Sequence, residues 1–191
     1  MAVSRPPAVH PSGTKERLRG SAMVWGLVMQ VRLLGPVDIE TTVGTVGLGG
    51  PRAQAVVGLL AVRAGEILTA DWLIDQLWGE RPPPAARTTL QSYVSRLRAV
   101  GGSDTERLLP RHPRGYLLDP QAAEIDVREF RRLSARAHTS AADGQRHRVG
   151  ECLERAGRLW RGHPFAGIDD PPALAAERVQ LVQLQRANRI A

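Results

Sequence analysis

Three consecutive prolines, Pro82 to Pro84, restrict the shapes open to this chain more than any other feature. Proline lacks a backbone N–H and clashes with the preceding turn, so no helix runs through that stretch and the connection is stiff. On each side lies a segment with helical periodicity. Upstream, Thr69 is a good N-cap, Asp71 falls in the first turn where it complements the helix dipole, and Leu73, Ile74, Leu77 and Trp78 form an apolar face before Gly79. Downstream, the pattern predicts a helix over 85–100, ended by Gly101-Gly102. The remainder of the chain must pack around two helices joined by a short rigid loop.

Around this pair the pattern changes. From Val31 to Gly50, apolar residues alternate with turn formers (Val31, Leu33, Gly35-Pro36, Val37, Ile39), which predicts a small antiparallel sheet of short strands. Ala53, Val56, Val57, Leu59, Leu60 and Val62 then lie at helical spacing, with Pro51 at the early turn and Gly65 as terminator. A short Ile67-Leu68 strand leads into Thr69. After the 85–100 helix, Leu108-Leu109 and Tyr116-Leu117-Leu118 flank Pro110 to Gly115, which reads as a hairpin with a basic tip. These pieces make one unit, 29–119. Beyond Pro120 the pattern is entirely helical. Asp126 with Glu129 resembles a capping box and opens a helix to Ala142, Asp143-Gly144 breaks it, a second helix spans 145–160, and Pro171-Pro172 opens a third. Paired helices of this kind look like solenoid repeats and make a second unit, 124–191. Residues 1–28, rich in proline and glycine with four basic residues and one acid, are expected to be a loose extension. The apolar run Met23 to Met29 is too short and too soon interrupted for a secretory leader, and Met29 would serve as a start.

The helix over 85–100 has a slim outer face. Advancing 100° per residue from Leu90 puts Leu90, Tyr93, Val94 and Leu97 in one sector and Thr88, Ser92, Ser95 and Ala99 opposite. Arg87, Gln91 and Arg98 fall on one flank, Thr89 and Arg96 on the other. A major groove admits a helix whose leading side chains are short, and flanking guanidinium groups then reach phosphates or the acceptor pair of a guanine. A solvated polar face is the ordinary alternative. Charge distribution favours the first reading. The chain carries 26 basic residues against 19 acids, a net +7. Residues 85–118 concentrate that surplus, with six arginines (87, 96, 98, 107, 111, 114) and two acids (104, 106).

Taken together, Val31-Arg-Leu-Leu-Gly-Pro-Val37, Leu48-Gly-Gly-Pro-Arg52, Leu73-Ile-Asp-Gln-Leu-Trp-Gly79, Pro83-Pro-Ala-Ala-Arg-Thr-Thr-Leu-Gln91, Tyr93-Val-Ser-Arg-Leu-Arg98 and Arg114-Gly-Tyr116 resemble the Streptomyces antibiotic regulatory protein family. Asp126-Val-Arg-Glu-Phe130, Leu159-Trp-Arg-Gly162 and the helix from Pro172 resemble the start of that family's bacterial transcriptional activator domain. The resemblance implies an α+β fold: an OmpR-type winged helix-turn-helix domain followed by the N-terminal part of an all-α, TPR-like helical domain. It also implies a recognition helix over 85–100, a wing at the following hairpin, and prolines 82 to 84 in a loop facing the transcription machinery. The function implied is cytoplasmic, nucleoid-associated, pathway-specific activation of antibiotic-type genes, through direct-repeat promoter sites on double-stranded DNA, self-association there, and recruitment of RNA polymerase holoenzyme. Thr88 stands where the family commonly has asparagine.

Base contacts are expected from Thr88, Ser92, Ser95 and Arg96, with Gln91 able to join them. Arg87, Thr89, Arg98, Arg111 and Arg114 are expected on phosphates or in the neighbouring minor groove, with a surface salt bridge as the alternative for Arg98. No catalytic, metal or cofactor site is expected. The glycines at 44, 47, 49 and 50 lack a phosphate-loop lysine, the histidines at 10, 112, 138, 147 and 163 lack ligand spacing, and no membrane partner is implied. Trp72, Trp78 and Trp160 are expected in the core, and the lone Cys152 as a small buried residue. Two competing readings stay open: a helical interaction module with the winged half as scaffold, and a DNA binder without activation.

Overall fold

The computed structural model describes residues 29–41, 44–100, 102–168 and 171–190, so the expected extension, 1–28, lies outside it. Alternating burial in the first segments produces β1 (Met29–Arg32), β2 (Asp38–Thr41) and β3 (Gly44–Val46), paired antiparallel in order β3-β2-β1. Three helices follow: α1 (Pro51–Val62), α2 (Ala70–Trp78) and α3 (Ala86–Val100). Thr69 caps α2 as its side chain promised, accepting from the Trp72 amide at 3.2 Å. The three helices pack on one another, with Val56, Leu60, Leu73, Leu90, Val94 and Leu97 in a shared core.

Two elements depart from the sequence reading. Gly101-Gly102 does not lead directly to a strand: a short helix α4 (Gly102–Leu108) intervenes, so Leu108-Leu109, expected as a wing strand, instead ends α4 and sits in the core. The wing itself is short, β4 (Arg111–His112) paired with β5 (Gly115–Tyr116). Nor is the chain beyond Pro120 wholly helical. Ala123–Ile125 forms β6, which pairs parallel with β1 (Met29 opposite Ala123, Val31 opposite Ile125) and becomes the fourth strand of the first sheet. Burial alternates along it, with Ala123 and Ile125 inward and Glu124 out.

Helices α5 (Asp126–Ala142), α6 (Arg146–Arg158) and α7 (Pro172–Ile190) complete the chain. α5 pairs with α6, and α7 packs on both α1 and α5. Its approach to α1 depends on Gly58: a Cβ there would sit 3.0 Å from Leu174 Cδ1. The first turn of α7 is held by α2, whose Gln76 Oε1 accepts from the Ala173 amide at 2.9 Å. Phe130 meets Trp160 edge to face at 5.2 Å. Trp72, Trp78 and Trp160 are half-buried, and Cys152 is buried.

Asp126 corrects another expectation. It is the first residue of α5, and its carboxylate tethers β1 by accepting the Leu33 amide at 2.8 and 2.9 Å and the Leu34 amide at 2.9 Å. Burial outweighs these donors and raises its pKa to about 6. The carbonyls of the same two residues accept from Phe165 N (2.9 Å, to Leu33) and Arg161 N (2.7 Å, to Leu34). Helical and winged parts therefore share one hydrophobic cluster and a backbone clasp around β1.

Candidate nucleic-acid interface

Helix α3 starts where the prolines release the chain: residues 80–85 are exposed, and the Ala86 amide bonds to the Pro83 carbonyl at 2.9 Å. Its apolar stripe fixes its rotation. Leu90, Val94 and Leu97 are each at most 1% exposed, which turns the opposite sector outward. Thr88, Gln91, Ser92, Ser95 and Arg96 are all exposed, and Thr89 is half-buried. No part of the chain described covers that face.

The hydroxyl strip is ordered by the helix itself. Ser92 Oγ donates to the Thr88 carbonyl at 2.9 Å, which spends its proton and leaves its lone pairs as acceptors. Arg96 lies 5.6 Å over the Tyr93 ring and makes a long Nε contact, 3.4 Å, with the Ser92 carbonyl. Stacking on an aromatic face steers a guanidinium without consuming its donors. Arg96 therefore stands on one flank of the strip with most of its hydrogen-bonding capacity free.

On the other flank the structure brings the remaining residues together. An open groove of about 490 Å³ runs between α3, the start of α2 and the wing, lined by Arg87, Gln91, Arg98, Arg111, Arg114 and Asp71 among others. Four arginines against one acid give the groove a net positive charge. Thr69, Ala70 and Asp71 bring the N-terminal turn of α2 to the same groove, where the helix dipole adds positive potential. Arg87 is paired with Asp71, both mostly exposed. Arg111 and Arg114 stand exposed on the wing, and the tip is tightened by the Arg114 amide donating to His112 Nδ1 at 3.2 Å.

The wing is fastened by backbone to the segment that leads into α2. Leu68 and Tyr116 exchange both N–H···O bonds at 2.8 Å, and the Gly65 amide reaches the Leu118 carbonyl at 2.9 Å. The expected Ile67-Leu68 strand is thus an isolated bridge to β5. Gly115 is required there: its φ is +156°, and a Cβ would lie 2.2 Å from the Leu68 carbonyl oxygen.

Arg98 lines the groove but is tied to the protein's own backbone. It is half-buried, and its guanidinium is occupied within the protein, Nε donating to the Leu109 carbonyl at 2.6 Å and Nη2 to the Pro110 carbonyl at 3.1 Å. Among the described residues these two carbonyls, and not an acid in a surface salt bridge, are the partners given to it, because α4, unforeseen, brings the root of the wing back across its flank. Thr105 belongs to this arrangement and was missed for the same reason. Its buried hydroxyl donates to the Arg98 carbonyl at 2.8 Å.

Comparison with known proteins agrees with this architecture. Residues 46–118 match the family model "Transcriptional regulatory protein, C terminal", and residues 125–188 match "Bacterial transcriptional activator domain". The regulatory protein DnrI of Streptomyces peucetius is 32% identical over 148 residues, covering 73% of this chain and 54% of DnrI. The transcriptional regulator RedD of Streptomyces coelicolor is 34% identical over 149 residues, covering 72% of this chain and 41% of RedD. The regulatory protein AfsR of Streptomyces griseus is 32% identical over 145 residues, covering 76% of this chain but 15% of AfsR. The chain thus spans about half, or much less, of the length of the relatives it matches. Among solved structures, Mycobacterium tuberculosis EmbR in complex with a low-affinity phosphopeptide superposes with a TM-score of 0.77 at 30% identity, covering 86% of this chain and 44% of EmbR.

Proposed function

Because the chain belongs to the Streptomyces antibiotic regulatory protein type of transcriptional regulators, a winged helix followed by a bacterial transcriptional activator region, we propose that it binds double-stranded promoter DNA and activates transcription from it. The observation that carries this reading is the exposed hydroxyl strip of α3 with Arg96 on one flank and the arginine-lined groove of the wing on the other. α3 enters the major groove, where Thr88, Ser92 and Ser95 allow close approach and Arg96 reads the paired acceptors of guanine, with Gln91 beside them. Arg87, Arg111 and Arg114 neutralise phosphates at the groove edge, the wing reaching towards the adjacent minor groove, and Thr89 lies along the opposite backbone.

On this reading, copies of the chain bind side by side on direct repeats spaced by one helical turn, about 10 to 10.5 base pairs, or a multiple of it. The exposed 80–85 loop and the helical region present a surface to RNA polymerase, and the controlled genes serve a secondary-metabolite pathway of the antibiotic type. Among the described residues no helix is long and apolar enough to cross a membrane, and the site of action proposed is the cytoplasmic nucleoid. The decisive comparison uses a duplex selected from a random-sequence pool by the wild-type chain and a scrambled duplex. Arg96→Ala is expected to lose about 1 to 3 kcal/mol on the selected duplex and far less on the scrambled one. Arg114→Ala is expected to weaken both equally. Equal losses on both duplexes for both variants would refute the division of roles.

A further inference from the structure

We propose that Arg98 is a positioning residue that locks the wing to the recognition helix, and does not itself contact DNA; this rests on the DNA-binding reading above. The geometry is a two-sided fastening. The guanidinium fork bonds two consecutive carbonyls, Leu109 at 2.6 Å and Pro110 at 3.1 Å, at the point where the chain leaves α4 and enters β4. From the same residue, the backbone carbonyl accepts the Thr105 hydroxyl at 2.8 Å, tying the middle of α4 to the last turn of α3. Leu109 is buried and its amide is already bonded to the Thr105 carbonyl at 2.9 Å, so the root of the wing is held from three sides.

A single planar group must serve here because two adjacent carbonyls point to one side of the chain, and each needs a donor from a fixed direction. Guanidinium supplies parallel N–H groups in a rigid fork; an ammonium supplies a point charge and no fork. Arg111 begins the wing one residue after Pro110, so the brace sets where the wing arginines stand relative to Arg96. Burial, with the charge of nearby Arg111, lowers the Arg98 pKa from its usual value, as expected for a cation satisfied by carbonyls instead of an acid. Committing Nε–H and one Nη2 N–H to these carbonyls fixes the direction of the guanidinium at the core's edge, and removing it would leave both carbonyls without that donor.

The test measures affinity for the pool-selected duplex, with thermal unfolding recorded for each variant. Arg98→Met and Arg98→Lys are both expected to bind about tenfold more weakly, the size of a lost charge-assisted bond. Neither should weaken binding further when introduced into Arg111→Ala/Arg114→Ala. Wild-type affinity for Arg98→Lys, or a loss that adds in full to that of the wing variant, would overturn the proposal, because a phosphate contact needs only the charge. Should the variants not fold, the wild-type chain answers alone. A ¹⁵N spectrum should show the Arg98 Nε–H protected from exchange in the free protein and unmoved by DNA. An Nε–H that exchanges freely and becomes protected only on adding DNA would overturn it. A wild-type chain that selects no duplex would sink the DNA-binding reading, while the free-protein Nε–H signal would still decide the brace.

Discussion

Replacing Gly115 by alanine perturbs the attachment of the wing at one atom. The added Cβ would meet the Leu68 carbonyl oxygen at 2.2 Å and its carbon at 2.9 Å, both backbone atoms that cannot rotate away. Relief requires β5 to move off Leu68, which endangers the two reciprocal 2.8 Å bonds between Leu68 and Tyr116. Losing them costs about 1 kcal/mol each, and holding a non-glycine residue at φ +156° adds about 1 to 3 kcal/mol. The expected loss of stability is therefore about 3 to 5 kcal/mol. Gly144→Ala is the control: φ is +71° and nothing lies within 4 Å of its Cβ, so it bears the backbone penalty alone, about 1 to 2 kcal/mol. Equilibrium urea unfolding measures both. A Gly115→Ala loss no greater than that of Gly144→Ala would show that the wing is not pinned to the start of α2, and the groove geometry built on that pinning would fall.

Two further outcomes follow from charge. Asp71 is the lone acid among the residues that line the wing groove, and it holds Arg87, so Asp71→Asn should free that arginine and strengthen DNA binding about two- to fivefold, the worth of an exposed ion pair. Unchanged or weaker binding in a filter assay would remove Arg87 from the phosphate contacts. Asp126 ionises at about 6 in the folded chain against 3.8 ordinarily, so the folded state takes up its proton first and stability falls as pH rises through that window. Relative to Asp126→Asn, which does not titrate, the wild-type chain should lose about 2 kcal/mol between about pH 4 and pH 7. A flat difference curve from urea unfolding would contradict the burial assigned to that carboxylate.

What the sequence made legible was local. The α3 wheel separated Leu90, Val94 and Leu97 from Thr88, Ser92 and Ser95, and the structure separates them in the same way, because one amphipathic helix on one core has a single way to turn. The Thr69 cap was legible for the same reason, a side chain acting three residues away. The misses are non-local or masked by glycine. β6 is three residues long and pairs with a strand more than ninety residues earlier, so neither length nor alternation announced it. α4 hides behind Gly101-Gly102, which read as a stop; the remaining signal was Thr105, Leu108 and Leu109 at spacings of three and four, all buried. Missing α4 also hid the carbonyl partners of Arg98, which lie on the segment that follows α4. Asp126 had the spacing of a capping box, yet its strongest contacts are with Leu33 and Leu34 across the sheet.

The central claim, that the α3 face and the wing groove engage the DNA backbone through Arg87, Arg111 and Arg114, is tested most directly by titrating duplex binding across salt concentration. Three phosphates neutralised per copy predict that log affinity falls against log salt with a slope of about −3, and that Arg111→Ala/Arg114→Ala brings it to about −1. A wild-type slope near zero, or one untouched by the double substitution, would contradict the account.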